Sequence, residues 1–208
     1  PYGVAASMSE KPRAIFVNGI QSGPLAGDLA YQLTGKEKSI VTAVKALKLM
    51  TEGTVYVSHD ADQAPIEALQ SLEATHITFS GKHPKGLVGT QIAQTAPLNK
   101  GEIVWTVNAI DLPTIGAAFE TGEYRPEYRI TVAGSKVINA GYANALQGVS
   151  LAQFLSANVN TDNTRVISGD VLTGSKIEND GFLSFGQSQL TAIPEGNTTE
   201  FFGWVLPG

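Results

Sequence analysis

The sequence predicts an α/β protein: a Rossmann-like doubly wound domain followed by a small β-grasp domain. Two patterns point there. Strand-length apolar runs alternate with helix-length runs from Arg13 to Glu120, as in a parallel sheet built from βα units. The style then changes near Tyr124-Arg125-Pro126 to short strands broken by glycines. The composition, 42% hydrophobic and 16% charged over 208 residues, is that of a globular chain able to bury the cores of two small domains.

The first strand is Ala14-Ile15-Phe16-Val17, apolar throughout and so expected to be buried on both faces. The loop Asn18-Gly19-Ile20-Gln21-Ser22-Gly23-Pro24 ends it, because its glycines and proline break regular structure. Ile40, Val41, Val44 and Leu47 recur at helical spacing while Lys36, Lys38, Lys45 and Lys48 take other faces, which predicts an amphipathic helix over 36–51 with Gly53 as terminator. Strand 54–58, helix 65–72 with Pro65 near its first turn, and strand 76–80 follow. After the loop Gly81-Lys82-His83-Pro84-Lys85-Gly86 come a helix over 87–94, a strand over 103–107 and a helix over 112–120.

In the second part, Arg129–Gly134, a Gly-rich stretch, a short helix over 150–155 and then Arg165–Gly169 read as two short strands, one helix and another strand, a compact β-grasp unit. Strands over 182–185, 190–193 and 201–205 complete the chain. The predicted division is 1–125 for the Rossmann-like domain, 126–178 for the β-grasp domain and 179–208 for C-terminal strands leading to further domains. The opening Pro1-Tyr2 and the closing Pro207-Gly208 read as cuts within a longer protein.

Composition narrows function. A net charge of −5 with scattered lysines lacks the basic stripe that neutralises a phosphate backbone, so nucleic acid is not an expected partner. No run of about eighteen apolar residues spans a bilayer. With no cysteine, the segment holds no disulfide, thiolate zinc site or cysteine-ligated iron–sulfur cluster. His59, His76 and His83 do not share a metal-binding helical spacing, so no metal site is expected.

Chemical motifs are sparse. The first-strand loop lacks G-x-G-x-x-G, and no Walker-type Gly-Lys-Ser/Thr run occurs, which disfavours nucleotide binding by either route and leaves turn geometry as the reading of its glycines. His83 and Lys85 lie on a loop at the carboxyl end of a strand; they suit an anionic or carbonyl ligand, or simply decorate a Pro/Gly turn. Asn108, just past its strand, serves hydrogen bonding at that edge or caps the next helix. Asp60 and Asp62 read as a solvated loop, and no G-x-S-x-G elbow is present.

Four phrases in order carry a resemblance: Arg13-Ala14-Ile15-Phe16-Val17-Asn18, Gly81-Lys82-His83-Pro84-Lys85-Gly86-Leu87-Val88-Gly89-Thr90, Arg165-Val166-Ile167-Ser168-Gly169 and Phe202-Gly203-Trp204. Together they resemble the A-subunit family of the bacterial sodium-translocating NADH:quinone oxidoreductases over nearly the whole chain. The resemblance implies a Rossmann-like domain followed by a soluble-ligand-binding β-grasp domain. It also implies a peripheral subunit on the cytoplasmic face of the inner membrane, partnered by the other subunits of the complex. By the same resemblance, NADH, flavins and iron–sulfur centres belong to those other subunits, and ubiquinone or menaquinone is the ligand to consider here.

The family is distantly similar to the flavin-carrying subunit of respiratory complex I, whose first-strand loop reads N-A-D-E-S-E-P. In the matching stretch Asn18, Ser22 and Pro24 stay, while the three acids are replaced by Ile20, Gln21 and Gly23. Val107-Asn108-Ala109-Ile110-Asp111 likewise echoes V-N-N-V-E without its second asparagine. The loop Asn18, Ile20, Gln21, Ser22 and Gly23 is thus a degenerate flavin loop, and the segment is expected to bind no cofactor and to carry no catalytic residue. The expectation is a non-catalytic assembly subunit with His83, Lys85 and Asn108 as quinone-binding candidates. Its rivals are a flavin- or NADH-binding domain that retained the ancestral pocket, and a carbohydrate- or cobalamin-type binder working through the β-grasp domain.

Overall fold

The computed structural model describes residues 4–7 and 9–197. The chain divides into two compact units between Tyr128 and Arg129.

The first unit is built on a four-stranded parallel sheet in the order β3-β2-β1-β4, with β1 Ala14–Asn18, β2 Thr54–Asp60, β3 Thr75–Phe79 and β4 Val104–Asn108. β1 is central, and Ala14 to Val17 are all buried, as a continuous apolar run requires. The order follows from the connections. From β1 the chain steps outward to β2 and β3, then returns across β1 to form β4. Because such crossovers are right-handed, the return helix lies on the opposite face from the outward ones. Accordingly α4 (Val88–Thr95) packs Ile92 against Ala14 and Phe16, with Tyr56 and Ile77 beside them.

Helices α1 (Leu29–Leu33), α2 (Glu37–Leu49) and α3 (Glu67–Gln70) belong to the outward crossovers. α2 buries Ile40, Ala43, Val44 and Leu47, one stripe of an amphipathic helix. It stops with Met50 in the capping position, so Gly53 is not its terminator. Gly53 is needed for another reason: a Cβ there would overlap the Arg13 carbonyl oxygen where the chain enters β2. After a single 3₁₀ turn at Ala109–Asp111, α5 (Leu112–Thr121) starts with Pro113 in its first turn. Gly122 closes it in the left-handed conformation at φ 75°, donating its N–H to the Ala118 carbonyl at 2.8 Å. α5 packs on α2, and Thr42 Oγ1 and Ser39 Oγ donate to the Glu120 carboxylate at 2.7 and 3.2 Å. At that crossing Gly116 lies on Ser39 so closely that a Cβ would overlap its carbonyl oxygen.

The second unit holds a five-stranded sheet in the order β6-β5-β9-β7-β8, with β5 Glu127–Ala133, β6 Gly141–Leu146, β7 Thr164–Ser168, β8 Ser175–Ile177 and β9 Gln189–Pro194. β5 and β9 run parallel at the centre, while β7 is antiparallel to both β9 and β8, the β-grasp arrangement around one helix, α6 (Ala152–Asn158). β9, read in the sequence as a strand of the segment past 178, is therefore the central strand of this sheet. β5 and β6 stand where two short strands are expected before the helix, and β8 has no counterpart among the strands the sequence predicts. The strand expected over 182–185 is not formed: Phe182 makes one isolated bridge to Ser150 and Phe185 is exposed. The strand expected over 201–205 lies outside the described residues.

Gly116→Ala tests the helix crossing by the sign of its effect. In an open helix position alanine stabilises by about 0.5–1 kcal/mol over glycine. Here overpacking against Ser39 should destabilise the chain by roughly 1–3 kcal/mol, read as a lower urea midpoint at unchanged slope.

Candidate functional site

Open parallel sheets bind ligands beyond the carboxyl ends of their strands, where neighbouring strands send their connections opposite ways. In this sheet that point lies between β1 and β4, where Asn18 pairs in register with Asn108. The two loops that reach it are 18–24, after β1, and 80–87, between β3 and α4.

These loops are bonded to each other through side chains. Asn18 Nδ2 donates to the Gly86 carbonyl at 2.9 Å, and its Oδ1 accepts from the Ile20 N–H at 3.1 Å and from Gln91 Nε2 at 2.8 Å. Ser22 Oγ accepts from the Gly86 N–H at 3.0 Å and lies 3.1 Å from His83 Nδ1. The contact is close enough that a Cβ on Gly86 would come within 2.5 Å of Ser22 Oγ. Gln91 is fully buried and also donates to the Lys85 carbonyl at 3.1 Å, while its Oε1 has no partner among the described residues. Both contacts of Nε2 are acceptors, so the amide cannot be turned around.

Lys85 is committed elsewhere on the same loop. Its ammonium donates to Asp60 at 2.6 Å and to Asp62 at 2.8 Å, and the side chains of Lys85 and Asp60 are each only 11% exposed. Asp60 closes β2 inside this network, so the expectation of a solvated loop fails there. Hydrogen bonds to Asp60 and Asp62 hold the Lys85 pKa above its ordinary value. The Lys85 hydrogen bond, reinforced by the Gly81 N–H, holds Asp62 below its own.

The structure therefore brings together Asn18, Ser22, His83 and the Lys85-Gly86 backbone. Ile20 is buried, and Gln21 Nε2 donates to Gln32 Oε1 at 3.2 Å. Gly23 accepts from the Ala26 N–H in a turn. Asn108 stands exposed at the end of β4 and begins the 3₁₀ turn without a side-chain cap bond. Below it Asp111 accepts from the Tyr128 hydroxyl at 2.8 Å. Burial raises the Asp111 pKa, and burial together with the Asp111 charge raises that of Tyr128.

A second feature was not legible in the sequence. His59 on β2 and His76 on β3 lie on adjacent parallel strands, with His59 Nε2 2.7 Å from His76 Nδ1 and His76 Nε2 3.0 Å from the Leu72 carbonyl. Burial, then the His76 charge, lowers the His59 pKa from its ordinary 6.5. His59 lines a cleft of about 610 Å³ beyond β1 to β3, together with Gln21, Asp28, Asp60, Gln63 and Gln70. No lysine or arginine among the described residues lines it. No group of three His, Asp or Glu side chains among the described residues could hold a metal ion.

Residues 1–124 match the family model described as the NqrA second alpha/beta domain, and residues 129–179 match the NqrA C-terminal domain model. Relatives named as the A subunit of the Na(+)-translocating NADH-quinone reductase are 32% identical in Yersinia pestis bv. Antiqua (strain Angola) and 31% identical in Vibrio atlanticus (strain LGP32). Each match covers 100% of this chain and 46% of the relative, so the chain spans about half their length. A similar solved structure is an NAD+-reducing [NiFe]-hydrogenase in its air-oxidized state, with a TM-score of 0.56 at 12% identity over 89% of this chain and 41% of the other, a likeness of fold.

Gly86→Ala should push the two loops apart and speed amide hydrogen exchange across 81–86 and 18–22 while leaving β5 to β9 unchanged. For His59 the folded pKa is lowered. Its contribution is therefore complete above about pH 6.5, and is lost as falling pH carries the unfolded chain, then the folded one, through protonation. The urea midpoint should drop between pH 7.5 and 5.5, and His59→Gln should flatten that drop.

Proposed function

The chain belongs to the NqrA family, and from that premise we propose that it is part of a subunit of a sodium-translocating NADH:quinone oxidoreductase. In this reading the subunit is peripheral on the cytoplasmic face of the bacterial inner membrane and works among the other subunits of the complex. The segment is non-catalytic by itself: NADH, flavins and iron–sulfur centres are carried by its partners, and its own role is assembly and the seating of a quinone headgroup. The names of the relatives support the complex. The absence among the described residues of any helix long and apolar enough to cross a membrane accords with a peripheral place in it.

One observation carries the division of labour. At the point where a dehydrogenase sheet holds its cofactor, the polar groups are bonded to one another: Asn18 to Gly86 and Gln91, Ser22 to Gly86, Lys85 to Asp60 and Asp62. Little is left to orient a flavin or a hydride donor. The acids of the related flavin loop are replaced by a buried Ile20, a Gln21 bonded to Gln32 and a Gly23 in a turn.

Donors for a quinone carbonyl remain. Ser22 Oγ already accepts from Gly86, and its own proton is satisfied when given to His83 Nδ1. That tautomer leaves His83 Nε2–H as a donor on a half-buried ring, with the exposed apolar Leu87 on the same loop. Asn108, whose side chain also bonds the Asp111 carboxylate, adds an exposed amide at the end of β4. Lys85 holds the loop through its carboxylates.

In the assembled complex, a photoreactive ubiquinone should label the 81–87 loop or the residues around Asn108. His83→Phe should weaken quinone binding about 2–10-fold, the cost of one hydrogen bond of roughly 0.5–1.5 kcal/mol. Labelling confined to other subunits would overturn the quinone assignment. A flavin spectrum retained by the purified chain after incubation with flavin mononucleotide would overturn the non-catalytic one.

A further inference from the structure

We infer that the cleft beyond β2 is a binding site for a small uncharged or cationic molecule that donates a hydrogen bond to Nδ1 of His59. This site is separate from the quinone reading, which uses His83 and Asn108, and it does not depend on the family.

The argument begins at Leu72. Its carbonyl can only accept, so the nitrogen 3.0 Å away, His76 Nε2, carries a proton. A neutral His76 then has a bare Nδ1, and the His59 Nε2 that lies 2.7 Å from it must donate. A neutral His59 that carries its proton on Nε2 presents a bare Nδ1. Two imidazoles at this distance cannot both be charged without strong repulsion, and burial favours a neutral His59. The chain from Leu72 through His76 thus selects the His59 tautomer, a role that makes His76 a positioning residue.

That bare Nδ1 is not sealed in the interior. The buried side-chain polar atoms without partners among the described residues are Gln91 Oε1 and Gln147 Oε1, and His59 Nδ1 is not one of them. It has no hydrogen-bonding neighbour within the described chain, although His59 as a whole is 8% exposed. His59 lines the cleft, whose volume of about 610 Å³ falls in the range of small-molecule sites.

The lining sets the ligand class. Asp28 and Asp60 supply carboxylates, and Gln21, Gln63, Gln70 and Thr78 supply neutral hydrogen-bonding groups. Asp60 is paired with Lys85, and Asp28 Oδ1 accepts the Ala30 and Tyr31 N–H groups at the start of α1, so both side chains are held in place. With no lysine or arginine among the lining residues, an anion finds no side-chain cation in the wall of the cleft. A neutral hydroxyl or an organic ammonium meets an acceptor in a polar, acidic wall.

The test uses the ¹⁵N-labelled chain and three probes of one size: benzylammonium, benzyl alcohol and benzoate. Long-range ¹H–¹⁵N spectra of the free chain at neutral pH should show His59 protonated at Nε2 and bare at Nδ1. Benzylammonium and benzyl alcohol should then shift the His59 Nδ1 resonance saturably, with benzoate at least tenfold weaker. His76→Phe should return His59 to a mixture of tautomers and reduce the response several-fold, with the fold checked by circular dichroism. A His59 protonated at Nδ1 in the free chain overturns the inference, and so does a response to benzoate equal to that of benzylammonium, or no saturable response to any probe.

Discussion

The carboxyl edge of the first sheet depends on Asn18. β1 is buried on both faces, so the chain must leave it at a point where backbone groups have lost water and need protein partners. The Asn18 side chain supplies them, donating to Gly86 and accepting from Ile20 and Gln91. One amide thereby joins three segments: the end of β1, the loop before α4 and the first turns of α4 itself. Replacing it by an apolar residue would leave several groups unpaired at once, each costing about 1–3 kcal/mol when buried.

Much of the unit's character follows from that junction. Because the 81–86 loop is drawn onto the 18–22 loop, Ser22 meets His83 and Gly86, and Lys85 is carried to Asp60 and Asp62 at the end of β2. The edge is closed by internal hydrogen bonds. An apolar side chain suits the buried position of Ile20, where a carboxylate would carry a desolvation cost.

The central architecture was legible because its signals are local. The continuous apolar run at Ala14–Val17 marks a strand buried on both faces, and the spacing of Ile40, Val44 and Leu47 marks α2. α1 was missed although Asp28 stands before Leu29 as a capping residue, accepting from Ala30 and Tyr31, because five residues are too few for a period to show. The bounds of β6 were not legible and β8 was missed because Tyr-Ala-Asn-Ala-Leu and Ser-Lys-Ile carry little strand signal, and pairing with β5 and β7 decides them. Phe182 to Phe185 has the composition of a strand, yet no partner strand pairs with it.

The sequence by itself determined the alternation of strand and helix, the change of pattern after Tyr124 and the family, because each rests on residue type and spacing along the chain. Only the tertiary structure decided what the polar residues do. Asn18, Ser22, His83 and Gln91 are bonded across separations of 61 to 73 residues, Lys85 reaches back 25 residues to Asp60, and His59 meets His76 across two adjacent strands. Parallel pairing brings residues distant in the chain to one edge, and no spacing rule along the sequence records which of them will share a proton.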